Sequence, residues 1–161
     1  MNRGARAMGL LPGLLAIGFV GLIAYIRLAP ADPAAWHVDL AAAGFRPPAH
    51  AAVFCIGPGN RYGPVADAAA LLAQLDAIAT ATPRTKRMAG SAEAGRITWV
   101  TRSAILGYPD YTTAQVMPGP GLCILGRQRF GREDLGVNAA RIGGWAQDLL
   151  ELPAPPAMTG I

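Results

Sequence analysis

From Met8 to Ile26 the chain reads MGLLPGLLAIGFVGLIAYI, nineteen residues without a charged side chain. As a helix rising about 1.5 Å per residue this run spans roughly 28 Å, so the pattern predicts a transmembrane anchor within residues 1–28. Residues 29–52 are rich in alanine and proline, and prolines at 30, 33, 47 and 48 exclude a continuous helix. They read as an extended linker whose Trp36 and Phe45 suit either a membrane interface or the face of a domain. The proline-rich ending, residues 152–161, is expected to be a loose tail.

Between these flanks, residues 53–151 change period in a way that spells out a small domain. AAVFCIG is a short apolar strand closed by the turn signal GPGN. Leu71, Leu75 and Ile78, joined by Leu72, recur at helical spacing and predict a helix opened by Pro64 and ended by Pro83. RTKRMAG and RITWVTRS read as strands, the second with Ile97, Trp99 and Thr101 on one face and Arg96, Thr98, Val100 and Arg102 on the other. YTTAQVM and LCILGRQRF follow, and turns this short force antiparallel pairing. A final helix carries Ile142, Trp145 and Leu149 as a single apolar stripe. The order predicts an α+β fold: an antiparallel sheet of about four to five strands with two helices packed on one face, preceded by the transmembrane helix.

Charge changes the picture at the membrane. The net charge is +4, but Arg3, Arg6 and Arg27 flank the apolar run, leaving eleven basic against ten acidic residues from Ala29 onward. The domain is nearly neutral, so the basic pI is no argument for nucleic acid, and none is expected as a partner. Cations before the run, with Asp32 and Asp39 after it, predict a single-pass inner-membrane protein, N-terminus cytoplasmic and domain periplasmic. A cleaved signal peptide is the competing reading, since Ala29–Ala31 offers a small-x-small site, but the apolar run is long for one. Gly9 and Gly13 offer a small-residue face to a membrane protein partner.

The candidate chemistry is sparse. His37 and His50 are the only histidines, both in the linker, and no nucleophile elbow, phosphate loop or dinucleotide fingerprint occurs. Neither a catalytic residue nor a metal site nor a cofactor is expected. Cys55 and Cys123 sit in separate apolar strands, where an exported domain allows a disulfide and a core accepts two buried thiols; both readings stay open. Arginine is the concentrated resource: nine basic residues stand against four acidic ones between Arg84 and Arg141. Arg102, Arg127 and Arg129, with Asp110 beside them, are the candidate ligand-binding group, because guanidinium forks match phosphate or carboxylate. The anionic ligand is expected to be a lipid head group or another envelope component. The competing reading is a solvated face with ion pairs to Asp110, Glu133 and Asp134. The expected activity is that of a non-catalytic binding or scaffolding module, with an enzyme acting through an Arg/Asp cluster as the alternative.

Asp134, Gly136, Asn138 and Arg141 form a further group, in DLGVNAARI. Asp134 is expected to cap the last helix, Gly136 to permit a tight entry, Asn138 to face the core, and Arg141 to reach Asp134 or Asp110. This segment, with RSAILGYPD and GRQRFGRE before it, resembles the family known as Domain of Unknown Function 1499, over about Phe54 to Leu150. In that family the arginine–serine pair lies inside the closing block, whereas here Arg102–Ser103 stands earlier. The resemblance implies a small exported or membrane-tethered domain and supplies no reaction.

Overall fold

The structure, a computed structural model, describes residues 3–60, 62–119, 121–131 and 135–150, with side chains in the first helix described from Pro12 onward. Two helices, α1 (Arg3–Leu28) and α2 (Pro33–Trp36), precede the domain. The domain then runs β1 (Ala52–Ile56), α3 (Ala68–Ala81), β2 (Thr85–Ser91), β3 (Arg96–Arg102), β4 (Pro109–Met117), β5 (Gly121–Gln128) and α4 (Val137–Leu150). The fold is α+β, and its sheet has five strands in the order β1-β5-β4-β3-β2, every neighbour antiparallel. β2 to β5 form a meander. β1 and β2 lie at opposite edges and run the same way, so their connection must cross the sheet, and α3 makes that crossing.

Alternation along each strand decides which side is dry. Ile56, Ile97, Trp99, Ala114, Leu122 and Ile124 meet Leu72, Leu75 and Ala79 of α3 and Ile142, Trp145 and Leu149 of α4. Both helices therefore cover one face. Trp99 and Trp145 meet edge to face at 5.8 Å, and each indole N–H is satisfied, by Asp76 at 2.8 Å and Thr82 at 2.8 Å. Asp76, on α3, also takes a two-pronged ion pair from Arg87 of β2. This polar knot fixes α3 against the sheet. α3 starts later than Pro64 implies: Asp67 is the cap, accepting from the Ala70 amide at 2.8 Å, which satisfies one of the free N–H groups of the first turn.

The segment after α1 lies as a strap across the other face of the sheet. Trp36 stacks on Tyr111 with ring centroids 3.9 Å apart, and Gln115 both accepts from the Leu40 amide at 2.8 Å and donates to Asp39 at 2.7 Å. Cys55 and Cys123, paired across β1 and β5, form a disulfide on this face. The alternative of two free thiols does not hold.

The transmembrane helix expected before the domain finds no support here: among the described residues no helix is long and apolar enough to cross a membrane. The described side chains of α1 extend from Pro12 to Leu28, a length of about 25 Å against a hydrocarbon core of roughly 30 Å.

Candidate anion-binding site

The strap face is where the arginines go. Arg127, on β5, lies over the Trp36 ring at 5.0 Å and donates to the Trp36 carbonyl at 2.5 Å, which Thr113 also reaches at 3.2 Å. Burial pushes the Arg127 guanidinium below its ordinary pKa range, because losing water penalises the charged form. Arg129 donates to the Pro30 carbonyl at 2.8 Å and sits 5.3 Å from the Phe130 ring. These two arginines hold the strap. A cavity of about 360 Å³ remains beside them, walled by Trp36, Pro48, His50, Arg127 and Gln128.

A second cavity, of about 390 Å³, is different in character. Arg27, Arg84, Lys86 and Arg102 line it over Val100 and Ser103, with no carboxylate among its described lining residues. Four segments supply the four charges. Arg27 belongs to the last turn of α1, Arg84 precedes β2, Lys86 lies on β2 opposite Val100, and Arg102 ends β3. What aligns them is backbone chemistry. Arg27 donates to the Ile105 carbonyl at 2.8 Å, Arg102 to the carbonyls of Gly107 at 3.0 Å and Ile26 at 3.4 Å, and Arg84 to that of Arg102 at 3.1 Å. Gly107 lets Arg27 lie this close: a Cβ there would stand 3.0 Å from the Arg27 side chain, and its φ of +75° is one that only glycine adopts cheaply. Carbonyls position a guanidinium without cancelling its charge, and each guanidinium keeps further N–H groups to offer. Among the described residues the ion pairs are Arg87–Asp76, Arg96–Asp39 and Arg141–Asp110, so these four cations enter none. Arg84 also holds a left-handed backbone, φ 62°, an arrangement that costs a non-glycine residue about 1 kcal/mol or more.

Asp110 stands elsewhere. It points to the helix side of β4, where Arg141 reaches it at 3.0 Å while also donating to Asn138 at 2.7 Å. Asn138 is 1% exposed and packs over Gly126, whose missing side chain leaves the room: a Cβ there would come within 3.1 Å of the Asn138 Cβ and 2.9 Å of the Ile142 methyl. Asp110, Asn138 and Arg141 thus join β4 to α4. Of the four residues expected to bind a ligand together, Arg102 and Arg127 project from one face of the sheet and Asp110 from the other. At the entry to α4 the carbonyl of Gly136 accepts from the Ala140 amide at 2.8 Å. Gly136 has φ +79°. Arg132, Glu133 and Asp134 lie outside the described residues.

Arg27, Arg84 and Lys86 are the residues that reasoning from sequence did not single out as a site. The alternation of β2 puts Lys86 on the same face as Val100, but nothing in the sequence says that the end of α1 folds back beside Gly107. Among the described residues no group of three or more His, Cys, Asp or Glu side chains is placed to hold a metal ion.

The model of a protein family described as Protein of unknown function (DUF1499) matches residues 48–149, which is most of the chain. No curated protein and no solved structure matches it.

Proposed function

The chain belongs to the DUF1499 family of proteins of unknown function, and from its own geometry we propose that it is a membrane-anchored envelope protein whose exported domain binds an anionic ligand without chemistry of its own. The observation that carries this reading is the cavity lined by Arg27, Arg84, Lys86 and Arg102, with no carboxylate among its described lining residues. Phosphate and carboxylate groups match clustered guanidinium and ammonium donors in both charge and geometry. Support for a binding module over an enzyme comes from Asp110, the carboxylate of the expected Arg/Asp cluster, which is engaged by Arg141 on the opposite side of the sheet. Among the described residues that line the cavity, no carboxylate or histidine stands beside the cations to move a proton.

The anchor rests on the uncharged run from Met8 to Ile26 and on what its described part exposes. Leu14, Leu15, Ile17, Phe19, Val20 and Leu22 are all exposed and are distributed around the whole circumference of α1. A helix apolar on every side has no soluble face, and lipid is the solvent that suits it. The positive flank supports a cytoplasmic N-terminus and a periplasmic domain. The disulfide fits that side of the membrane, since the cytosol keeps such thiols reduced.

The test is a calorimetric titration of the full chain in detergent with inorganic phosphate and with sn-glycerol 3-phosphate, glycerol being the neutral control. Saturable binding of the anions that weakens with salt, and is lost in Arg84→Glu/Lys86→Glu, is the expected result. Equal binding by that variant, or no saturable binding to the parent, overturns the reading.

A further inference from the structure

One end of the sheet collects features that the anion-binding reading does not by itself require. Arg102 pairs with Pro109, Asp110 with Gln128 and Thr85 with Thr101, so the turn 103–108, the connection from β5 to α4 and the start of β2 all lie at the same end. The last turn of α1 joins them, because Arg102 and Arg27 exchange hydrogen bonds between that turn and residues 105–107. Two apolar side chains crown this end with almost no cover: Ile105 is 83% exposed and Leu135 is 93% exposed. A single exposed leucine asks for no explanation. Two apolar side chains at one end, beside the last turn of an apolar helix, form a surface of one kind.

Aromatic rings complete it. Tyr25 of α1 meets Phe130 edge to face at 6.3 Å, and Phe130 meets Tyr108 at 5.7 Å. Tyrosines beside the last turn of an apolar helix, cations just beyond it and apolar tips to the side are the composition of a surface that meets lipid head groups. Height agrees with composition: Arg27 immediately follows Ile26, so when the apolar run occupies hydrocarbon, Arg27 and the cavity it lines stand at head-group level.

We propose that this end of the domain docks on the bilayer that holds α1, its cavity taking the phosphate of an anionic phospholipid while Ile105 and Leu135 enter the head-group layer. The inference rests on the anchored, anion-binding reading and names the source of the anion. It makes the domain a reader of the membrane surface from which it hangs, held flat against that surface by lipid charge.

The experiment uses the full chain in lipid nanodiscs, made of phosphatidylcholine alone or with phosphatidylglycerol, and the variant Ile105→Trp. Bromine on the lipid acyl chains quenches an indole that enters the membrane, and the native Trp36, Trp99 and Trp145 supply the parent background. Quenching of Ile105→Trp well beyond the parent in phosphatidylglycerol discs is expected. It should be severalfold weaker in phosphatidylcholine and absent when Arg84→Glu/Lys86→Glu is added. Unquenched emission in phosphatidylglycerol discs overturns the docking. If glycerol 3-phosphate still binds in that case, only the lipid source falls and the ligand is a soluble anion; if it does not, the binding reading falls too. Failure of the chain to co-purify with discs overturns the anchor and the docking together.

Discussion

His37 shows how one side chain can make the strap sensitive to pH. Arg96 donates to its Nε2 at 3.2 Å, so that nitrogen carries the lone pair and Nδ1 carries the proton, donated to Thr98 at 2.9 Å. Thr98 continues to Thr113, and Thr113 to the Trp36 carbonyl, so all the donors point one way. Burial, and then the charge of Arg96, lower the His37 pKa. The folded chain therefore binds fewer protons here than the unfolded one, and this contribution to stability is present above about pH 6.5 and lost as pH falls below it. Melting curves between pH 7.5 and 5.5 should show a loss of midpoint that is smaller in His37→Gln. Asp76 is a residue of another kind: Asp76→Ala strands the Trp99 indole N–H and the Arg87 guanidinium together, at a cost of about 3 kcal/mol, measurable by urea unfolding. At Arg84, function and strain oppose each other. Arg84→Gly should keep the unfolding free energy within about 1 kcal/mol of the parent, because it relieves the left-handed backbone, while weakening phosphate binding in calorimetry. At this scale the sequence was partly legible. The stripe of Ile142, Trp145 and Leu149 located Asn138 on the buried side, but the pairing of Arg141 with Asp110 depends on the register of β4 against α4, which no local pattern encodes.

Among the elements, strands and helices were read from periodicity because each has one dry face, and a dry face imposes period 2 or 3.6. The strap has no such period. Its contacts include a ring stack, main-chain carbonyls given to Arg127 and Arg129, and polar exchanges at Gln115 and His37, none of which recurs at a fixed spacing. Proline spacing showed only that the segment is extended. The disulfide was undecidable for a related reason: both cysteines sit in apolar strands, and only the β1–β5 register sets them side by side. It closes a separation of 68 residues and ties an edge strand to the meander. Loop closure over that length is worth about 4 kcal/mol, so Cys55→Ser/Cys123→Ser, or reduction by dithiothreitol, should lower the urea midpoint by a corresponding amount. The cation cavity escaped sequence reasoning because the end of α1, the start of β2 with the turn before it, and the end of β3 must all meet to form it.

For the whole molecule, the near balance of charge beyond Ala29 hides a strong local imbalance. The acidic partners Asp39, Asp76 and Asp110 are spent on Arg96, Arg87 and Arg141 within the domain, which leaves Arg27, Arg84, Lys86 and Arg102 gathered at one end. A net count over the chain therefore gives no sign of this cluster of cations. The edge-to-edge crossing by α3 has a consequence of its own for a chain that emerges N-terminus first. β1 has β5 as its strand neighbour, and β5 is the last strand to appear. Until Gly121–Gln128 is out, β1 waits with its backbone unpaired and Phe54 and Ile56 uncovered. Nascent chains arrested before Gly121 should be cut readily by protease near β1, and chains arrested beyond Leu150 should resist. The domain is thus a single commitment made only when its last strand appears, and any quality control that recognises bare strand edges has the whole stretch between Ile56 and Gly121 in which to act.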